Sequence, residues 1–576
     1  MNNTIILSEI DFSFYLSEIK QQKIIAVDTK TTGPDPHMDS IRLVQLAWDD
    51  TVLIIDCLSF LPQGLKLLKE VLESPLLKIF QNAGFVLQFF MAIGIFPTTI
   101  FDTMLAAQLL PADGLKDFHL KDLTQYYLNE ELDETLRKSN WSGELREVQL
   151  QYAAKNAEVL LRLRKELGGQ LRQHGLTEIA RIEFVCAVSI AQMEYHGILL
   201  DISAWLKLTK KIEVEKQKAA SALRKFEENS YVQLTLWGGE DLAGSNFESN
   251  AYLLSLLRKH GIMVDNTSKA ALAPYRSHPL VLAISRYRTV SKLLSSFLFP
   301  IPEKIHPVTG RLHPQYAQIA TWTGRMSCYE PNIQQIPRDT EFRKCFIASV
   351  GRRLLIADYS QIELRVVAQI TQDKRMLDAY KSGKDLHSLT ASIILNKPVD
   401  DIDKQERQYA KAVNFGLIYA MGANGLRISA QQSYGVEMTQ EQAENFRTLF
   451  FRAYPAIKDW HNQLNRLKST SGQTLSGRKY TFPQWYGLPV HSNTPVQGTA
   501  ADILKKALGL LAVRLSGSDT FIVATIHDEI IMECQEEKVD YYGEILKSTM
   551  EQASNSILKD VPAVVDMHIA QRWSEK

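Results

Sequence analysis

Leu354 to Ala357 form a short, continuous apolar run of the kind that makes a buried strand. Asp358 follows at its end, where the chain turns polar through Tyr359-Ser360-Gln361 and a helix start is expected. Far along the chain, the apolar runs Phe521–Ile526 and Ile530–Met532 flank His527-Asp528-Glu529, which reads as the tight turn of a β-hairpin. Near the N-terminus, Ile24–Val27 is a strand candidate ending at Asp28, and Ile41–Trp48 and Thr51–Ile55 read as its neighbours. Helical patterns follow around 64–73, 85–93, 101–110 and 147–167, so residues 1 to about 170 read as an α/β unit. From about 178 to 310 the pattern is mostly long amphipathic helices, with a mixed charge run from Lys207 to Lys225. Gly422, Gly425, Gly435, Gly472 and Gly477 punctuate the later chain as turns, and there is no internal repeat or low-complexity linker.

Candidate chemistry sits on these elements. Asp403 with Glu406 follows an Asp variant of the capping box, which places Arg407 in the first turns of a helix. Arg407, Lys411, Phe415 and Tyr419 then recur every four residues. Steps of four drift by only about 40° each, so the four side chains share one broad face roughly 18 Å long. It presents two cations and then two aromatics, the order of a nucleoside triphosphate. Each part has an ordinary reading: a lone strand-end Asp caps a helix, an Arg–Lys pair is a solvated face, and aromatics belong to a core. Two strand-borne carboxylates that converge would instead hold a pair of divalent cations, the usual device for in-line phosphoryl transfer.

Length and charge narrow the picture. The chain has 576 residues, enough for three to five domains or subdomains. Lys and Arg total 65 and Asp and Glu total 65, so any nucleic-acid surface must be local. Cys57, Cys186, Cys328, Cys345 and Cys534 show no C-x2-C spacing, which argues against a zinc site and a disulfide framework. With no signal pattern and no apolar stretch long enough to span a bilayer, a cytoplasmic, soluble protein is expected.

The segment Asp358-Tyr-Ser-Gln-Ile-Glu-Leu-Arg365, the Arg407–Tyr419 helix and His527-Asp-Glu529 resemble the three polymerase motifs of family A DNA polymerases, the bacterial DNA polymerase I type. Thr323-Gly-Arg-Met-Ser327, Pro331–Pro337 and Asn493–Asp502 extend the resemblance, which runs from about residue 24 to Trp573. It implies an α/β plus α+β multidomain fold: an RNase H-like 3′–5′ exonuclease-type domain, then a right-hand polymerase domain of thumb, palm and fingers. The divisions expected are 1–175 exonuclease-like, 176–310 thumb and entry to the polymerase, 311–370 palm, 371–474 fingers and 475–576 palm again, without an upstream 5′-nuclease domain. The implied activity is template-directed addition of dNTPs to a primer, by a likeness-based two-metal phosphoryl transfer. Asp358, Asp528 and the Tyr359 carbonyl would hold two Mg²⁺ ions, with Mn²⁺ able to substitute. Lys411 would protonate the leaving pyrophosphate; Arg407, Lys411 and His387 would hold phosphates; Phe415, Glu363, Gln361 and Tyr419 would surround sugar and base, with Glu363 excluding a ribose hydroxyl. Expected DNA contacts are Arg325, Asn332, Gln334, Arg365, Arg478, Asn493, Gln497 and His527, with Arg288 and Lys292 on the thumb. Primer-template DNA and dNTPs are the implied partners of a monomer. Ala420 stands where the family commonly has Gly, and Gln335 where Asn is common.

The N-terminal unit departs from the same family. Its Asp-x-Glu strand reads Asp28-Thr29-Lys30, its Asn-Ala-Lys-Phe-Asp motif reads Asn82-Ala-Gly-Phe-Val86, and its Tyr-x-x-x-Asp motif reads Tyr152-Ala-Ala-Lys-Asn156. Of four metal-binding carboxylates only Asp28 survives, and Asp102 is taken as structural. A retained but catalytically silent exonuclease fold is expected. The rivals are a single-subunit RNA polymerase, opposed by Glu363 and Phe415; a nuclease, opposed by the lost carboxylates; and a non-catalytic nucleic-acid-binding protein, opposed by Asp358, Asp528, Arg407 and Lys411 standing together.

Overall fold

Apolar runs in the N-terminal unit become the inner strands of a six-stranded sheet. Its spatial order is Asn2–Ile6, Thr51–Asp56, Ile41–Trp48, Ile24–Thr31, Leu77–Phe80 and Ile100–Asp102. The computed structural model describes residues 2–111, 114–227 and 246–576. Ile41–Trp48 is buried along its whole length, which is why it reads as a continuous apolar run. Strands Asn2–Ile6, Leu77–Phe80 and Ile100–Asp102 escape the sequence pattern. They are 5, 4 and 3 residues long, too short to show a period, and exist through parallel pairing to distant partners. Asp28 lies inside its strand rather than at the end, because pairing with Ile41–Trp48 carries that strand on to Thr31.

Helix Thr177–His196 belongs to two cores at once. Ile179, Ala180 and Phe184 pack into the N-terminal core, while Cys186, Ile190 and Met193 enter a large second core that runs to Trp573. A third, smaller core gathers Leu223, Leu253, Leu257, Ile284 and Tyr287 from three helices between Ile202 and Leu293. The second core is continuous through residues 311–370, 371–474 and 475–576, so these segments are parts of one packed body.

The centre of that body is a four-stranded antiparallel sheet. Its order is Phe521–Ile526, Glu529–Gln535, Arg352–Tyr359 and Val565–Ala570. Leu354, Leu355, Ile356 and Ala357 are fully buried, as their unbroken apolar run requires. Pairing on both sides extends their strand through Asp358 to Tyr359, one step beyond the polar switch in the sequence. Helix Ile362–Thr371 begins at Gln361, whose φ is 56°, with no side-chain cap; Asp358 therefore does not serve as its cap. Helix Lys404–Ile418 starts where the capping box places it, with Glu406 N donating to Asp403 at 2.8 Å and Asp403 N donating back to Glu406 at 3.1 Å. It ends before Tyr419, and Ala420 takes a left-handed φ of 59°. That conformation costs an L-residue about 1–2 kcal/mol, a physical reason for glycine at this point in the family. Among the described residues no helix is long and apolar enough to cross a membrane.

Candidate active site

Asp358 and Asp528 meet because their strands pair. Asp358 lies opposite Glu529, and Tyr359 N donates to the Asp528 carbonyl at 3.4 Å, so the hairpin turn is held against the end of the central strand. His527 adopts φ 60°, closing the turn and leaving Asp528 at the mouth. Asp358 Oδ1 is buried without a protein hydrogen-bond partner. Burial first, and then the charge of Asp358, push the Asp528 carboxyl up to about 7. Glu529 is not part of this pair. Its carboxylate accepts from Trp573 Nε1 at 2.6 Å and from the Lys576 ammonium, deep in the core. Lys576 Nζ also stands 3.4 Å from Asp358 Oδ2, a neighbour that sequence reasoning missed.

The helix Lys404–Ile418 presents the expected face. Arg407, Lys411, Phe415 and Tyr419 are each partly exposed, whereas Ala410, Val413, Asn414 and Leu417 between them are buried. Lys411 faces the carboxylates. Burial, then Arg407 and Arg338, lower its proton affinity, while Asp358 and Asp528 pull it back up. Partial burial first, and then the charges of Arg338, Arg325 and Arg343, hold the His527 imidazole below its ordinary range. No motif marked Arg338, an exposed residue whose charge reaches both Lys411 and His527. His387 is set 5.9 Å from the Phe415 ring but is only 2% exposed, with Nδ1 engaged by Asn414 at 2.9 Å. Burial pushes its pKa down to about 4, and the side chain is turned inward.

Glu363 is held from two sides. Arg325 Nη2 donates to Oε1 at 2.6 Å, and the Tyr419 hydroxyl donates to Oε2. The three residues form one wall at the base of the helix face. Asn332 Oδ1 and Asn493 Oδ1 are buried without protein partners, and Gln334 Nε2 donates to the Thr525 carbonyl at 3.3 Å. Gln497 is partly exposed on the helix Leu488–Arg514 that carries Asn493.

Two expected DNA contacts, Arg365 and Arg478, are turned into the protein, and a third, Arg288, is tied to neighbours at a partly exposed position. Arg365 donates to the carbonyls of Ser360 and Pro562 and lies 4.3 Å over the Tyr380 ring. Arg478 is buried between Asp502 and Glu183. Arg288 is spent on Thr267 and Asn250, whereas Lys292 is exposed. Partners this distant in the chain cannot be read from local pattern.

In the N-terminal unit, Lys30 Nζ forms an ion pair with Asp28 and sits 5.2 Å from the Tyr152 ring centre and 6.0 Å from that of Trp141. Val86 and Asn156 are buried beside the sheet. Asp102 caps helix Thr103–Leu109 and accepts from Ala83 N at 2.6 Å, which establishes its structural role; burial pushes it up to about 6.

A carboxylate pair facing a helix of ordered cations and aromatics, in a cleft of a right-hand fold, defines a nucleotidyltransferase. The sequence model described as DNA polymerase family A matches residues 201–575, and that of a 3′–5′ exonuclease matches residues 3–172. The chain belongs to DNA polymerase family A, with an exonuclease-family domain preceding the polymerase domain. DNA polymerase I of Aquifex aeolicus (strain VF5) is 32% identical, over 97% of this chain and 97% of its own length. DNA polymerase I of Pseudomonas aeruginosa is 30% identical over 99% of this chain, which spans 66% of that protein. The thermostable DNA polymerase I of Thermus filiformis is 33% identical over 73% of this chain, which spans 51% of that protein. The solved POL domain of Pol1 from M. smegmatis, in complex with DNA primer-template and dNTP, shares the fold: TM-score 0.81, 23% identity, 100% of this chain and 99% of that one.

Proposed function

We propose that this chain is a template-directed, DNA-dependent DNA polymerase that adds dNTPs to a primer 3′-hydroxyl and does not proofread. The observation that carries this reading is the strand pairing that sets Asp358 opposite Glu529 and ties Tyr359 N to the Asp528 carbonyl at 3.4 Å, so that the two aspartates share one site. The donor set fits divalent ions: a buried, unpartnered carboxylate oxygen on Asp358 accompanies an Asp528 that burial, and then Asp358, make costly to ionise. Asp358, Asp528 and the Tyr359 carbonyl would hold two Mg²⁺ ions (or Mn²⁺), whose chemistry is to activate a hydroxyl and neutralise phosphate charge.

The protein's own groups do the remainder. Arg407 forks onto phosphate, and Lys411, its proton affinity already lowered, gives a proton to the leaving pyrophosphate. Phe415 packs on sugar and base, Gln361 and Tyr419 line the nucleotide, and Glu363, fixed by Arg325 and Tyr419, excludes a 2′-hydroxyl. Arg325, Asn332, Gln334, Asn493, Gln497 and His527 meet the minor groove and primer end, where degenerate acceptors suit an enzyme that accepts every sequence. Lys292 serves the phosphate backbone. The working division is 1–175, 176–310, 311–370, 371–474 and 475–576, acting as a monomer. In the N-terminal domain Lys30 pairs with the one remaining carboxylate, Asp28, which supports loss of hydrolysis.

Labelled primer-template extension with and without EDTA tests the reading. Asp358→Asn or Asp528→Asn is expected to abolish extension while DNA affinity stays within about a few-fold of the parent, since the main contacts to DNA lie elsewhere. Extension rates close to the parent in either variant overturn the assignment.

A further inference from the structure

Arg407 does not face the cleft as an unpaired cation. Its Nε and Nη2 donate to the two oxygens of Asp385, at 2.8 and 2.9 Å. This is the two-pronged pairing that a guanidinium also makes with phosphate. Asp385 is fixed from two further sides. It caps helix Leu386–Leu395, accepting from Ser388 N at 2.8 Å and Ser388 Oγ at 2.7 Å. It also accepts from Gln361 Nε2 at 2.7 Å, and Gln361 lies just past the strand that carries Asp358. One carboxylate thus links the segment after Asp358 to the first turns of the helix that carries Arg407 and Lys411. The pair stays within reach of solvent, with side-chain exposures of 41% for Arg407 and 31% for Asp385. Lys411, one turn further on, makes no ion pair among the described residues.

We infer that Asp385 is a positioning residue for Arg407: an internal counter-anion that occupies the guanidinium until an incoming nucleoside triphosphate displaces it, and that reclaims it when pyrophosphate departs. This rests on the reading of Arg407 as a phosphate-binding residue. The physical reason is differential binding. An anion at Arg407 gains only the difference between its own contacts and those of the Asp385 pair it breaks. A complete nucleotide adds base and sugar contacts against Phe415 and the template, so it offsets the broken pair. Pyrophosphate has no such contacts, so the returning carboxylate weakens its hold and favours product release. Gln361 and Ser388 keep the carboxylate in place during the exchange, which makes the pair re-form in the same geometry.

Asp385→Asn separates this role from capping, because Asn caps a helix as well as Asp does while losing the charge. Steady-state extension by the full chain would give kcat, the KM for dNTP and the inhibition constant of inorganic pyrophosphate, alongside Arg407→Ala and the double variant. In Asp385→Asn the pyrophosphate inhibition constant is expected to fall about 5- to 20-fold, the worth of a released charge-assisted bond, and the KM for dNTP to fall as well. Asp385→Ser, which also caps, should behave alike and serves if the Asn variant folds poorly. In Arg407→Ala the KM should rise, and adding Asp385→Asn should change nothing further. A merely structural Asp385 would instead raise the KM or lower kcat without tightening pyrophosphate. Unchanged or weakened pyrophosphate inhibition in Asp385→Asn, with KM raised in Arg407→Ala, overturns the inference alone. An unchanged KM in Arg407→Ala overturns the reading of Arg407 beneath it.

Discussion

Asp528 is costly to ionise where it stands, being set in the cleft beside Asp358 with its pKa raised from 3.8 to about 7. The folded state therefore favours the neutral acid. Its contribution to stability is present below pH 3.8 and is lost as pH climbs from there through about 7. Above that range Asp528 must carry its charge in a largely desolvated position. Asp528→Asn should thus stabilise the EDTA-treated protein at pH 8, by about 2 kcal/mol once solvent screening is allowed for, with the gain vanishing near pH 4. Thermal unfolding across that pH range would show it, and an equal effect at both ends would mean that charge is not the cause. Phe415 raises a second point at this scale. It has no hydroxyl to replace the missing 3′-OH of a dideoxynucleotide, so the parent should discriminate against terminators. Phe415→Tyr should relax that selectivity by about 1–3 kcal/mol, the worth of one buried hydrogen bond. Competition between dNTP and ddNTP measures it, and unchanged selectivity would count against the placement of the sugar.

Two long helices carry the frame on which the site is built. Thr177–His196 and Leu488–Arg514 approach so closely that a Cβ on Gly509 would stand 3.0 Å from Val185 Cγ1, and Ser189 Oγ donates to the Leu508 carbonyl. Beside their crossing lies a buried charged cluster: Glu183, Arg478, Asp502 and Lys505. Burial would raise Glu183, but Lys505 and Arg478 hold it below its ordinary value. The cluster balances two acids against two bases, and removing one member leaves a buried charge uncompensated. Glu183→Gln, nearly isosteric, should cost about 3–5 kcal/mol in urea unfolding. A loss below about 1 kcal/mol would mean that water or a local shift compensates the remaining charges. Arg478 also packs against Gly324, just before Arg325, so this cluster supports the loop that positions Glu363.

At the scale of the molecule, a formally uncharged chain concentrates cations where they are needed. Arg325 and Arg407 are each matched there by a local carboxylate, Glu363 and Asp385, so much of the charge balance is struck at the site itself. The N-terminal domain holds a single carboxylate already neutralised by Lys30. Lys30, Val86 and Asn156 replace three of four expected metal ligands, and a lone Asp cannot hold two divalent ions against hydration. The expected outcome is polymerisation without 3′–5′ shortening of a mismatched primer, assayed in an Asp528→Asn background so that resynthesis cannot hide cleavage. Metal-dependent shortening that survives further purification would falsify this. Single reversions should fail, and Lys30→Glu with Val86→Asp and Asn156→Asp together has the best prospect of restoring cleavage.

Local pattern determined what depends on neighbours in the chain. The buried run Leu354–Ala357, the hairpin turn at His527-Asp528, and the capped helix with Arg407, Lys411, Phe415 and Tyr419 on one face are all legible from spacing, because strand and helix periods are local properties. Tertiary structure decided what depends on distant partners. It extended two strands past Asp28 and Asp358 by pairing, and it formed three short strands that have no period to display. It turned Arg365 and Arg478 inward, because carboxylates and carbonyls tens to hundreds of residues away satisfy a guanidinium better than solvent at those points. It also brought Arg338, Lys576 and Asp385 to the site, none of which lies in a recognisable motif. A side chain's type and period are written in the chain, but which way an arginine points is settled by whatever charge the fold brings to meet it.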